Sequence, residues 1–193
     1  MIRIATESDI SQMLAIYAPY VENTTYSFEY TPPTLEQFTQ RFLKYTAQCP
    51  WLVWEEDGQV VGYAYGSLPF ERAAYAWCAE VSIYLLPEAH GRGIGRKLYA
   101  VVEEILWRQG YRIIYALITS ENKGSLAFHE KMGYEYRAQF PDCGIKFSRS
   151  LGVVWMEKRA KSVEIPSSLP VSWREVVETD RKVMDILASL PLS

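Results

Sequence analysis

A chain of 193 residues, 49% apolar and 14% aromatic, is long enough for one domain with a sizeable core and too hydrophobic to be disordered. A formal net charge of −3 gives no reason to expect nucleic acid or an anionic membrane as partner. Cys49, Cys78 and Cys143 are odd in number and widely spaced, and with only His90 and His129 besides, no metal site is expected.

Met1 leads directly into a strand over 2–5 with no basic-then-apolar leader, and no window approaches a membrane span. A soluble, cytoplasmic protein is the expectation. Capping oxygens at 6–9 open a helix with Ile10, Met13, Leu14, Tyr17 and Val21 inward. A polar and aromatic loop fills 23–33. Thr34 and Gln37 have capping-box spacing before a helix that buries Leu35, Phe38, Phe42 and Tyr45. Strands at 51–55 and 60–68 flank the Asp57-Gly58 turn. After a loop at 70–74, a central strand runs over about 75–86.

That strand shows period-two alternation, Val81, Ile83 and Leu85 against Ser82 and Tyr84, and Pro87 ends it. Gly91, Gly93 and Gly95 then lead into a helix whose stripe is Ile94, Leu98, Val101, Val102, Ile105 and Leu106, capped by Gly110. Free N–H groups at such a helix start, with the positive end of its dipole, suit a phosphate or pyrophosphate. Three motifs compete for the turn. A Walker A loop fails, because Gly95 is followed by Arg96 and Lys97 rather than Lys and Ser or Thr. A dinucleotide fingerprint lacks its third glycine, which is Arg96, although Glu121 stands roughly where a ribose-binding acid is expected. The acyl-CoA loop, (Gln/Arg)-x-x-Gly-x-(Gly/Ala), fits residues 90–95, with His90 in the first place.

A short apolar run at 112–119 reads as a buried strand, parallel to the central one. A helix at 123–132 stops at Gly133, and strands at 134–140 and 145–158 follow. Beyond residue 160 the composition turns to Ser and Pro, a linker over 161–171. Ser172 and Glu175 open a last amphipathic helix within 172–193, carrying Trp173, Val176, Val177, Met184, Leu187 and Leu190. It is expected to cover an apolar patch of its own domain or of a symmetry mate.

Across 2–157 the chain resembles the GNAT superfamily of N-acetyltransferases, and within it the phosphinothricin and methionine-sulfoximine acetyltransferases. The resemblance rests on RAAYAWCAE at 72–80, IYLLP at 83–87, HGRGIG at 90–95, Glu121-Asn122 and LAFHEKMGY at 126–134, in that order and spacing. It implies an α/β (α+β) GNAT fold for residues 1–160: a mixed sheet of about seven strands flanked by four helices, in the chain order βααβββαβαββ also read from the elements. It also implies a homodimer, with acetyl-CoA as co-substrate and a small amino-acid-like amine as acceptor.

Acyl transfer needs a grip on CoA, a base, an oxyanion donor and an acid for the thiolate. Gly91, Arg92, Gly93, Ile94, Gly95 and Arg96 would hold the pyrophosphate, with charge from the two arginines. By resemblance, backbone groups of Ile83, Tyr84 and Leu85 would bond pantetheine in a gap beside the 112–119 strand. Asn122 resembles an asparagine that contacts CoA, and also reads as a local turn former. Glu80, an acid near the start of an apolar strand, takes the place of the base. His129 stands where many relatives have a tyrosine acid, and serves as acid or as a packed helix residue. Phe28 with the 23–33 loop, Arg72, Ala73, Ala74, Tyr75 and Lys146 would face the acceptor, the two cations receiving its anionic group. Relatives carry a Trp and an Asp where this chain has Ser150 and Gly152, a change expected to enlarge or reshape that end of the pocket. Two alternatives stay open: another amine as acceptor, or a non-catalytic CoA-binding module.

Overall fold

The computed structural model describes residues 1–161, 165–181, 183 and 184. The expected order of elements is observed: β1 (Ile2–Ile4), α1 (Ile10–Asn23), α2 (Leu35–Thr46), β2 (Trp51–Glu56), β3 (Gln59–Ser67), β4 (Cys78–Leu85), α3 (Ile94–Gln109), β5 (Ile113–Thr119), α4 (Lys123–Lys131), β6 (Glu135–Lys146), β7 (Arg149–Arg159) and α5 (Trp173–Thr179). They form one seven-stranded mixed sheet in the order β1-β2-β3-β4-β5-β7-β6, in which only β4 and β5 run parallel.

Two boundaries move from expectation for local reasons. The central strand starts at Cys78, because Ala73–Tyr75 closes a 3-10 turn first. The last hairpin turns at Phe147 and Ser148, both at positive φ, rather than after residue 140. Pro141, which reads as a strand end, falls where the β6 register shifts between Phe140 and Gly144, so its missing N–H costs no ladder bond.

The sheet separates two cores. Against one face, α3 contributes Leu98, Tyr99, Val102, Ile105 and Leu106, and α5 adds Trp173 and Val176. Against the other, α1 and α2 pack on an aromatic cluster in which Trp51 stacks on Tyr65 at 4.0 Å and receives the edge of Phe42. The Thr34 and Gln37 side chains close the expected capping box of α2. α5 lies on its own domain: Trp173 Nε1 donates to the Thr46 carbonyl at 2.8 Å, and Arg108 pairs with Asp180 at 2.9 Å. The helix is shorter than expected: α5 ends at Thr179, where Asp180 is extended. Met184 therefore lies past its end and is exposed, while Leu187 and Leu190 lie outside the described residues.

Candidate active site

The parallel pair β4–β5 is joined only over Cys78, Ala79 and Glu80, opposite Ile113, Ile114 and Tyr115. Beyond that point the strands diverge into a V. In an antiparallel pair, successive residues point their backbone groups alternately toward and away from the partner. The Leu86 N–H bonds to Val61 of β3, so by register Tyr84 and Ser82 also face β3, whereas Leu85, Ile83 and Val81 face the V. The structure thus corrects one expectation: Tyr84 cannot offer its backbone to a ligand in the gap. Its ring packs instead between Tyr17, Tyr20 and Tyr63, at 4.8, 5.3 and 5.5 Å.

Within the V lies a cavity of about 90 Å³, between residues 81–84 and 116–119, with Asn122, Ser125 and His129 on its wall. It shares Tyr20, Tyr26, Ile83, Asn122 and Ser125 with a groove of about 520 Å³ that reaches the glycine turn through His90, Gly91, Gly93, Gly95 and Arg96. Gly91 and Gly93 stand at φ +73° and +79°, where a side chain is strained. Gly93 caps α3 without any side-chain bond to the helix start, so the first-turn N–H groups of Ile94, Gly95 and Arg96 remain available to an anion. A Cβ on Gly95 would stand 3.3 Å from the side chains of Ile83 and Leu85, which is how the helix start comes so close to the strand. Arg92, expected to add charge to the turn, is bound to Glu56 at 2.7 and 3.1 Å. Arg96 lines the groove.

Glu80 stands at the last paired register of β4, at the point of the V. Burial pushes its carboxyl up to about 7. His129 is buried, with Nδ1 2.8 Å from the Ser125 carbonyl and Nε2 2.9 Å from the Tyr99 hydroxyl. A carbonyl only accepts, so Nδ1 carries the proton and Tyr99 donates to Nε2. Burial pushes this imidazole down to about 4, leaving it neutral at pH 7 with both nitrogens engaged. Those bonds favour the packed role for His129 over the acid role. The Asn122 side chain accepts the Ser125 N–H at 3.0 Å as the cap of α4, while lining both cavities.

Of the segments expected to face the acceptor, the 23–33 loop brings Tyr26 to both cavities, whereas Phe28, Arg72, Ala73, Ala74, Tyr75 and Lys146 line neither. The Phe28 ring lies over Gly144, where an added Cβ would fall 2.4 Å from it. Arg72 precedes the 3-10 turn of Ala73, Ala74 and Tyr75, and the Tyr75 ring sits 4.5 Å from Phe70. Lys146 requires a correction: it is 2% exposed, and its Nζ donates to the carbonyls of Val21 and Ser27, both at 2.7 Å. It fastens the 24–30 loop to β6 and is not presented to an anionic acceptor. Thr119 adds a second tie, donating to the Thr25 carbonyl at 2.7 Å. Glu121 pairs with Arg149 and accepts from the Thr25 hydroxyl, so the place expected of a ribose-binding acid is already engaged within the chain. Ser150 donates to Asp142 at 2.7 Å. A Cβ on Gly152 would already stand 3.1 to 3.3 Å from Phe140, Ser120 and Pro141, so this position is crowded rather than open.

Two residues of the site escape sequence reasoning, Tyr20 and Ser125, and Tyr26 is covered only as part of the 23–33 loop. Tyr20 donates to the Leu85 carbonyl at 2.6 Å and roofs both cavities with Tyr26. The sequence signal for Tyr20 is an aromatic side chain near the end of α1. Among the described residues no group of side chains could hold a metal ion, and no helix is long and apolar enough to cross a membrane.

Residues 2–155 match the family described as Acetyltransferase (GNAT) domain. The chain is 35% identical over 162 residues to a phosphinothricin N-acetyltransferase of Alcaligenes faecalis, covering 81% of each. It is 35% identical over 160 residues to an L-methionine sulfoximine/L-methionine sulfone acetyltransferase of Pseudomonas paraeruginosa, covering 81% of this chain and 92% of that one. Among solved structures, a GNAT superfamily phosphinothricin acetyltransferase of Sinorhizobium meliloti in complex with AcCoA superposes with a TM-score of 0.84 at 30% identity, over 89% of this chain and 96% of that chain. A putative acetyltransferase of Salmonella typhimurium with acetyl-CoA gives 0.83 at 28% identity, over 87% and 98%. A strand that parts from its parallel neighbour beside a glycine-led helix start, together with these matches, places the chain in the GNAT acetyltransferase family, as an acetyl-CoA-dependent N-acetyltransferase.

Proposed function

We propose that this enzyme moves the acetyl group of acetyl-CoA directly to the primary amine of a small amino-acid-like acceptor of the phosphinothricin or methionine sulfoximine type. The observation that carries the reading is the V between β4 and β5, which ends at Glu80 and opens toward the first turn of α3. The N–H groups of Ile94, Gly95 and Arg96 hold the diphosphate against the helix dipole, with Arg96 as the nearby cation. Val81, Ile83 and Leu85 present backbone groups to the pantetheine arm as a neighbouring strand would. One of their N–H groups, Ile83 in this reading, polarises the thioester carbonyl.

Glu80 accepts the proton of the acceptor's ammonium, directly or through water. Its carboxyl at about 7 matches the working pH, so a useful fraction is ionised while the conjugate acid still gives the proton back. The free amine attacks the carbonyl carbon, the tetrahedral centre collapses, and the C–S bond breaks. Protonated Glu80 returns its proton through water to the departing thiolate, because neutral His129 has its one N–H committed to Ser125. The second proton of the acetylated nitrogen leaves to solvent water.

The names of the relatives support the acceptor class. Ser150 and the crowded Gly152 favour a second reading, in which the acceptor is a different amine. Thiol release from acetyl-CoA with phosphinothricin, methionine sulfoximine, methionine sulfone, a lysine peptide and a polyamine, followed by mass spectrometry, separates the two. Turnover of either of the first two supports the primary reading. Exclusive use of a lysine peptide or polyamine replaces it, and binding of CoA without turnover of any amine leaves a coenzyme-binding module.

We further assign a homodimer, formed through the aromatic face of Leu117, Phe140 and Trp155, the first two of which are exposed. The α1–α2 core ends at β4, and beyond it Leu117 and Phe140 stay exposed. Sedimentation at micromolar concentration showing only monomer overturns this. Three free cysteines agree with a reducing, cytoplasmic setting.

A further inference from the structure

The Tyr20 hydroxyl sits where the two halves of the coenzyme site meet. It donates to the Leu85 carbonyl at 2.6 Å and lies 3.1 Å from Nε2 of His90. A phenol has one proton to give; with that proton on Leu85, its oxygen accepts from the Nε2–H of His90, which also fixes the His90 tautomer. Leu85 is the last residue of β4 whose backbone faces the V, and His90 directly precedes the glycine turn. The Tyr20 ring packs edge-on against Tyr84 at 5.3 Å and 68°, and lines both the cavity in the V and the groove. One side chain from α1 therefore ties the end of the ligand-pairing strand to the start of the anion-holding turn.

We propose that Tyr20 is a positioning residue that sets the register between the two ends of the coenzyme, diphosphate on the turn and pantetheine arm on β4. The proposal rests on the acetyl-CoA reading above. An arm laid against a strand meets cleft-facing backbone groups only at every second residue, about 6.6 Å apart. With the diphosphate anchored on α3, a small shift of the turn against β4 takes the arm's amides out of step and carries the thioester past Glu80. The shared hydroxyl removes that freedom, since Leu85 and His90 are both bonded to one oxygen atom. A thioester without a diphosphate has no second anchor, so it gains nothing from the tie.

The test compares kcat/KM for acetyl-CoA and for S-acetylpantetheine in wild type and Tyr20→Phe, at a fixed amine concentration. The expected result is a loss of about tenfold with acetyl-CoA in the variant, the scale of a net hydrogen bond, and of less than about twofold with S-acetylpantetheine. KM for the amine stays unchanged. His90→Ala is expected to repeat the pattern, and His90→Gln, which keeps an N–H donor at that place, to restore most of the preference for acetyl-CoA. The histidine pair decides the matter should Tyr20→Phe fail to fold. Equal losses with both thioesters, or no loss with either, overturn the proposal. A wild type that turns over neither thioester contradicts the coenzyme reading instead, and is recognisable because no variant is needed to see it.

Discussion

The Tyr99 hydroxyl donates to Nε2 of His129 across 2.9 Å, while the opposite nitrogen of the same ring gives its proton to the Ser125 carbonyl at 2.8 Å. A histidine placed by resemblance at a proton-donating position is thereby locked as a neutral wall of the cleft. Burial lowers its pKa from 6.5 to about 4. Below pH 6.5 the unfolded chain takes up a proton that the folded one refuses, so this contribution to stability is lost as pH falls from about 6.5 toward 4. His129→Gln should flatten that acid limb in a pH series of thermal melts. The ring resonances of wild-type His129 should not titrate near pH 6.5, and a midpoint there would contradict the lock.

Glu80 behaves in the opposite sense. Its folded pKa is raised from 4.5 to about 7, so the folded protein binds the extra proton between those values and loses stability as pH rises through about 7. Glu80→Gln is expected to raise Tm at pH 8 by a few degrees and to leave it unchanged at pH 4.5. In kinetics the same variant should lower kcat by about a hundredfold or more, with CoA affinity unchanged, and should erase an inflection of kcat/KM near pH 7. Equal turnover at neutral pH would remove Glu80 from the mechanism.

The contact between Phe28 and Gly144 makes a sharp test of the acceptor side. A methyl at Gly144 would fall 2.4 Å from the ring, so Gly144→Ala must displace Phe28 and the loop beneath it. The expected effect is a loss of about ten- to hundredfold in kcat/KM for the amine, with CoA affinity within about twofold of wild type. An unchanged amine kcat/KM would place the acceptor elsewhere.

The Trp173 side chain is buried against α3 and bonded to the Thr46 carbonyl, at the end of α3 remote from the glycine turn. Trp173→Ala should cost about 3–5 kcal/mol of stability in denaturant unfolding and leave both KM values alone. Altered KM for either substrate would give α5 a role beyond covering the core.

Much of this geometry is readable in the residues, and the exceptions share a cause. Gly91, Gly93 and Gly95 mark a turn, and the alternation before them and the stripe after them name the strand and the helix. These are local signals. The parting of β4 from β5 is a relation between two strands, and nothing in 81–85 differs from a strand whose ladder continues. Lys146 reads as a ligand for an anion because its true acceptors, the carbonyls of Val21 and Ser27, are main-chain atoms that composition does not display. Tyr20 reads as a helix residue beside Tyr17 and Val21, and only the fold brings it to Leu85 and His90. Pro141 reads as an end of a strand because the bulge that absorbs it depends on β7.

Calorimetric titration of the folded protein with CoA tests the central claim most directly. One molecule should bind per chain, with Kd on the order of micromolar, about −8 kcal/mol. Gly93→Ala should weaken that binding, because a side chain at φ +79° strains the turn by about 1–2 kcal/mol. A well-folded wild type that takes up no CoA would contradict the account.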